Sequence, residues 1–533
     1  MSDVNISPDG KYLAMLIPIE GHSQLYIMEV DAAVAPLLVP AVPEVEFRWL
    51  RWANNERLVF ATAFLGSRLG TETVETRLFA VMRDGSNLLP IVKPSRDTTV
   101  GSAIPVDLPP PQLQDDVVDW LPDEPNRILL SVDGDADGRN EVRRIDIRNG
   151  KYKVVHNGSS GVQNWIADRQ SEVRFRYGYT ATEHIYKLKL VSGKRVTTAG
   201  ANWPLGQFVP LAFTENPAIA FGSGPNDVGR NVIRKMDLSS GEFLETVFEH
   251  DSVDVDELEY DPVTGTAAGV AYTVHIPSVY YFDETLALLQ RSVDAVLKST
   301  SNRMVSMSHD RQRVVVFSMS DVEPGVYYLW DREHKNLDII GEVQPGLNAS
   351  VLAPVEAVTY TARDGKLIPA YLTLPREVEH RKLPVVVLPH GGPQSRDTGV
   401  YDFLPQFLAS RGYAVMQPNF RGSTGYGNAF ADAGIGGSVW TKHMGLDGER
   451  AKAVSPYHQA EQIVIPMLII QAKDDARVTS EQGQRMARRL KRLEKPVEYV
   501  EVAIAGHSMN NQAARLVVLE SLESFLATHI AAK

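Results

Sequence analysis

Two residues near the C-terminus have the types and the placing of a catalytic acid and base. Asp475 follows the apolar run in "PMLIIQAKDD", and His507 follows that in "VEYVEVAIAGHSM". A carboxylate beside an imidazole fixes its tautomer and stabilises its cation, which lets the ring take a proton from a nucleophile. Upstream, "VVVLPHGGP" turns through Gly391 and Gly392, whose amides have no side chains near them and suit the oxyanion of an acyl-transfer intermediate. Asp475 and His507 as catalytic residues, and Gly391 and Gly392 as oxyanion or substrate-binding donors, together point to acyl hydrolysis. No metal ligand set accompanies them. His443 and His458 stand fifteen apart without a His-x-x-x-His or Glu-x-x-His spacing, and no cofactor is expected.

These residues need an α/β sheet beneath them. "PVEAVTYTARDGKLIPAYLTLP" reads as an antiparallel strand pair around an Asp-Gly turn, and "LPVVVLPHGG" as a short buried parallel strand. "FLPQFLASRGY" reads as a helix and "AVMQPNF" as a strand. After the acid-bearing strand, Thr479 and Gln482 form a capping-box pattern for a helix running to Lys495, with Met486, Leu490 and Leu493 on one stripe. A final helix places Leu519, Leu522, Leu526 and Ile530 on one face. In open sheets of this kind the chemistry gathers at the carboxyl ends of strands, where Asp475 and His507 both fall. The order is that of an α/β-hydrolase, which displays its serine in a G-x-S-x-G turn.

That serine is missing. No G-x-S-x-G occurs anywhere in the chain. Ser159 and Ser160 in "NGSSG" lie in a hairpin turn, Ser423 stands in "RGSTGYG", and Ser508 merely adjoins His507. Ser423 and Ser508 are the only neighbours by sequence of the acid and base, and neither has an elbow.

The first two thirds carry a repeat: a polar turn, a β-rich run, a second turn, another β-rich run. Its register marks fall near Pro8, Asn54, Pro122, Asp168, Glu215, Pro262 and His309, about 46 or 47 residues apart except for one interval near 68. In that interval "FLGSRLGTETVE" and "KPSRDTTVGSAIPVDLPPPQLQ" read as added loop. The sixth copy pairs "YDPVTGTAAGVAYT" with "VYYFDETLALLQ". Such a period with several short strands per unit predicts a seven-bladed β-propeller over residues 1–343, followed by the α/β-hydrolase domain over 344–533. "DGDADGRNEVRR" begins like a calcium loop with Asp133, Asp135, Asp137 and Gly138, but Arg144 stands where the bidentate Glu belongs, so a hairpin turn is the simpler reading.

Composition removes whole classes. With 533 residues, two or more domains are expected; 44% hydrophobic and 23% charged residues describe a globular chain. A net charge of -12 opposes a general nucleic-acid partner, and the basic run "RMARRLKRLEK" reads as a solvated helix face. The absence of cysteine excludes disulfides, thiolate metal sites and a cysteine nucleophile. No apolar stretch is long enough to span a bilayer, and "MSDVNISPDG" has no signal-peptide pattern. The chain as it stands reads as soluble, exported only if a signal was removed beforehand. Compartment and oligomeric state are not legible.

Across nearly its whole length the chain resembles the prolyl oligopeptidase family of serine peptidases, particularly its acylaminoacyl-peptidase and dipeptidyl-peptidase members. The likeness lies in "VVVLPHGGP", "QFLASRGYAVMQPNFRGSTGYGNAF", "SPYHQAEQIVIPMLIIQAKDDARV" and "GHSM" after a propeller. It implies a propeller that restricts access to short peptide or acyl-peptide substrates, with Asp475 and His507 at the positions of the catalytic acid and histidine. Gln471 takes the place of a usual His in the acid motif. The resemblance also puts the nucleophile elbow between "RGSTGYG" and the acid strand, where Phe420 to Pro466 leaves too little chain for it. It implies that a block with the nucleophile strand, its elbow, the following helix and the next strand is absent, joined near Met444 and Gly445. The hydrolase sheet would then be truncated in mid-sheet: either "PMLIIQAKDD" slides beside "PVVVLPH" or an interior edge is exposed. The expectation is a peptidase by kinship that has lost acyl-enzyme chemistry. The alternatives are an active hydrolase using an unexpected serine, a non-catalytic peptide-binding or scaffold protein, and a gene deletion with no function of its own.

Overall fold

In the computed structural model the described residues are all but 20–21, 33, 40–44, 69–70, 94–95, 98–105, 108–109, 180–183, 190–195, 200–207, 377, 393, 432–451, 454, 476–477, 504, 508–511 and 531–533. The chain divides into two compact units. One comprises Met1–Ile19, Ser23–Ser318 and Gly325–Val343; the other comprises Glu20–His22, Met319–Pro324 and Gln344–Lys533.

Among the described residues the first unit is a ring of seven antiparallel sheets, spanning residues 2–38, 46–90, 116–156, 164–199, 209–248, 255–281 and 301–342, with a further short antiparallel pair, Arg96–Asp97 and Val106–Asp107. Every register mark of the repeat falls in the turn between the first two strands of a sheet, as at Pro8 between Ser2–Ile6 and Tyr12–Ile19. A blade cannot cover both of its faces alone, so the core is distributed between neighbours. Val59 and Leu78 of the second blade pack with Ile128 and Ile145 of the third. The same happens at every junction round the ring, ending with Val315 and Leu329 of the seventh blade against Val4 and Leu13 of the first. Each blade is built from one continuous piece of chain, so side-by-side packing alone closes the ring. Polar contacts reinforce that closure: Arg313 donates to Gly10 O at 2.9 Å and to both Asp31 carboxylate oxygens, and Ile6 N donates to Ser306 Oγ at 3.0 Å.

Two local expectations fail. "FLGSRLGTETVE" is not added loop but hairpin, because Arg57–Arg68 and Thr71–Met82 stay in register to their tips and Arg68 pairs with Glu75 there. In the sixth copy "ETLALLQ" is helix, not strand. Asp283 accepts the Leu286 amide at 2.9 Å, and Leu286, Leu289 and Val293 recur at helical spacing to fill the junction with the seventh blade. The sixth sheet accordingly has three strands. Asp133, Asp135 and Asp137 sit in the hairpin turn between Arg127–Val132 and Glu141–Asp146, where Asp133 accepts the amides of Asp137 and Gly138.

Among the described residues the second unit holds two separate sheets. One runs in the order Val355–Thr361, Leu367–Thr373, Ala414–Pro418, Val385–Val387, with the last pair parallel. The other is the parallel pair Met467–Ala472 and Val497–Val502. Of the two outcomes expected for the sheet, the chain takes the exposed edge: among the described residues no strand lies beside Val385–Val387 on its outer side, and Val385 and Val387 are 54% and 58% exposed. The helix Gln512–His529 ties the sheets together. Ala514 and Val518 pack with Ala472 and Val502, while Phe525 and Leu526 pack with Val386 and Val415.

Candidate active site

Strand register brings the acid and the histidine together. Met467–Ala472 and Val497–Val502 pair in parallel from Met467 opposite Val497 to Ala472 opposite Val502, so they end level. The pairing continues a little beyond them, with Lys473 N donating to Val502 O at 3.0 Å and Asp474 N to Ala505 O at 3.1 Å. The two loops therefore leave side by side. His507 Nδ1 reaches both carboxylate oxygens of Asp475, at 3.0 and 2.9 Å.

The two side chains differ in exposure. Asp475 is 9% exposed and His507 is 43% exposed. The carboxylate is anchored from behind, since its Oδ1 also accepts the Val478 amide at 2.8 Å. Gln471, in the buried last turn of the strand, donates from Nε2 to Ala472 O and Val478 O, a second tie on the acid loop. With Nδ1–H held by Asp475, Nε2 carries the free lone pair. In that tautomer Nε2 is the ring nitrogen able to accept a proton, the geometry a general base needs.

Gly391 and Gly392 follow the exposed strand Val385–Val387, and both are exposed. Gly392 has φ 123°, and a Cβ there would lie 2.8 Å from Gln394 N, so the turn needs glycine. Gly391 has open space around the corresponding position, so no steric demand explains it.

Ser423 is not a nucleophile in waiting. It is fully buried, and its hydroxyl donates to Phe420 O at 2.6 Å while Nε2 of His390 lies 2.8 Å away. His390 also stacks on Phe420, with ring centroids 4.5 Å apart. The "NFRGSTGYG" segment serves as a brace for the Gly-Gly turn. Asn419 accepts from Asp397 N at 2.7 Å and donates to Asp397 O at 2.9 Å and to Tyr426 Oη at 2.7 Å. A side chain at Gly425 would collide with Arg396. Burial pushes the Asp397 carboxyl up, against the pull of His390. His390 escaped sequence reasoning, although its place directly before Gly391 was the available signal. Ser508, His443, Met444 and Gly445 lie outside the described residues, and His458 contacts Tyr457 edge-on rather than joining an acid cluster.

The capping box at the start of the next helix does not form. The helix is Glu481–Arg492 with Ser480 at its N-cap, and Thr479 contributes only its carbonyl, to Gln482 N at 3.0 Å. Gly483, Ala487 and Leu490 make its buried face.

Residues 400–439 and 437–533 match the model of the prolyl oligopeptidase family, in two segments that meet without a gap in this chain. The chain is 27% identical over 458 residues to dipeptidyl aminopeptidase BIII of Pseudoxanthomonas mexicana, a match covering 82% of this chain and 61% of that protein. It is 30% identical over 207 residues to dipeptidyl peptidase family member 6 of Caenorhabditis elegans, covering 35% of this chain and 28% of the relative. The chain thus spans about three fifths of the first of these relatives and less of the second. Among solved structures, a puromycin-hydrolyzing peptidase of Mycobacterium tuberculosis superposes with a TM-score of 0.71 at 15% identity, covering 100% of this chain and 94% of the other. A prolyl endopeptidase structure gives 0.69 at 12%, covering 100% and 90%. These likenesses establish the fold, a propeller followed by an α/β-hydrolase unit.

Proposed function

We propose that this member of the prolyl oligopeptidase family is a serine-type peptidase by descent that keeps the acid and base of the reaction and lacks its nucleophile. The observation that carries the reading is the Asp475–His507 pair: it is oriented for proton transfer, yet among the described residues no serine hydroxyl is bonded to His507. Two sequence facts agree with it. No G-x-S-x-G exists in the chain, and the two family-matched segments abut at residues 437–439, as they do when a block between them is missing.

The ligand class follows from kinship: short peptides, with the Gly391 and Gly392 amides receiving the carbonyl oxygen. One relative is named a dipeptidyl aminopeptidase, and on that name peptides with a free amino terminus are the members of the class proposed as ligands here. Without a serine no acyl-enzyme forms, so the chain binds such peptides rather than turning them over. Residual hydrolysis by oriented water is expected at about 10³ to 10⁴ over the uncatalysed rate, the remnant left when a triad is deleted.

Labelling of the folded protein with a fluorophosphonate, read by intact mass, tests this. No adduct is expected. A stoichiometric adduct that vanishes in His507→Ala overturns the reading, and peptide mapping would name the serine responsible.

A further inference from the structure

The helix Glu481–Arg492 carries a charge pattern that the peptidase reading does not use. Its buried face is Gly483, Ala487 and Leu490, and opposite lies a groove of about 600 Å³ lined by Tyr457, Glu481, Arg485, Arg488, Lys491 and Arg492. The four cations are all exposed, and among the described residues none of them is paired with a carboxylate. Arg489, by contrast, pairs with Glu461 at 3.0 Å. Arg485 and Arg489 lie over the Tyr457 ring, at 5.3 and 5.9 Å from its centroid, which fixes the groove wall.

A solvated helix face explains surface charge, but four cations against the single carboxylate of Glu481 leave this groove strongly basic. Arg485 and Arg488, Arg488 and Lys491, and Arg488 and Arg492 are like-charged pairs at three- and four-residue spacing, each destabilising the helix. The helix dipole accounts for Lys491 and Arg492 in the last turn and leaves Arg485 and Arg488 unexplained. All this stands in a chain of net charge -12, where acidic partners are plentiful. Four cations to one carboxylate in such a chain make the groove a suitable host for an anion from outside.

We infer that this groove binds a multivalent phosphate-bearing small molecule. Its volume is that of a site for a nucleotide-sized ligand, and guanidinium forks suit phosphate oxygens two at a time. Arg485, Arg488 and Arg492 share one helical face and so can close on a single chain of phosphates. The inference is independent of whether the Asp475–His507 pair has a nucleophile.

Titration calorimetry of the full chain with inorganic tripolyphosphate is the test. Binding is expected at low ionic strength, weakening as salt is raised, and falling at least tenfold in the double variants Arg488→Glu/Arg492→Glu and Arg488→Gln/Arg492→Gln. Lys335→Glu, a charge change in the other unit equal to that of the glutamine pair, should leave it intact. No heat at low salt, or equal binding by both double variants, refutes the site. A poly-glutamate peptide that binds as tightly as tripolyphosphate at equal charge overturns the phosphate assignment in favour of an acidic polypeptide.

Discussion

Asp475 grips His507 with both carboxylate oxygens and, through the same Oδ1, holds the Val478 amide. One residue therefore orients the imidazole and ties down its own loop. His507 makes no comparable backbone tie among the described residues, and its side chain is 43% exposed. The two should be unequal in stability. Asp475→Ala leaves a backbone amide without its acceptor and is expected to cost about 1 to 2 kcal/mol, whereas His507→Ala should fall within about 0.5 kcal/mol of the parent. Urea unfolding of both variants is the measurement, and equal losses would mean that the acid loop is not anchored by its carboxylate.

Ser423 invites mistaking for a nucleophile, since a histidine nitrogen lies 2.8 Å from its hydroxyl. Its burial makes the opposite prediction. Ser423→Ala should leave any fluorophosphonate reactivity unchanged and cost about 1 to 3 kcal/mol, because His390 Nε2 and Phe420 O lose the buried hydroxyl they share. Reactivity lost with stability intact would assign Ser423 to the chemistry instead.

Among the described residues the edge strand Val385–Val387 has no partner on its outer side and its two outer valines are exposed, and Val464 and Ile465, just before the strand Met467–Ala472, are 83% and 62% exposed. Unprotected apolar edges recruit other chains. Concentration-dependent association is expected in sedimentation velocity, and Val387→Lys should shift the distribution towards the smallest species. If the lysine variant sediments as the parent does at every concentration, the edge is not the adhesive surface.

How much of this was legible depended on how local the signal was. The propeller announced itself because each blade is one turn-strand repeat, and all seven marks from Pro8 to His309 fell at equivalent turns. Asp475 and His507 were legible because each ends an apolar strand, and parallel strands in register bring such ends together. The helix Glu284–Val296 was misread because Leu286 and Leu289 stand inside a β-like repeat, and only the Asp283 cap and the neighbouring blade's core decide for helix. The His390–Ser423 contact joins residues 33 apart through a fold that spacing cannot reveal. The exposed sheet edge was foreseeable only as one of two outcomes, since strand order is a tertiary choice.

The ring closure carries a pH-sensitive group. Asp3 sits where blades one, two and seven meet: its Oδ2 accepts Leu50 N at 2.8 Å, its Oδ1 accepts Asn5 Nδ2 at 3.0 Å, and its own amide donates to Tyr327 Oη at 3.2 Å. Burial outweighs these hydrogen bonds and raises the carboxyl from 3.8 to about 6. Because the folded value lies above the unfolded one, folding favours the protonated form. That contribution is fully present below pH 3.8 and is lost as the pH rises through about 6. At neutral pH the buried charge costs roughly 2 to 3 kcal/mol, at about 1.4 kcal/mol per pKa unit. Asp3→Asn keeps one acceptor oxygen and tolerates the residue's φ of 49°. The variant should be more stable than the parent at pH 8, with the gain shrinking towards zero by pH 4. Melting curves of both proteins across that range decide it: a gain of equal size at every pH would mean that packing, and not ionisation, sets the strain at the closure.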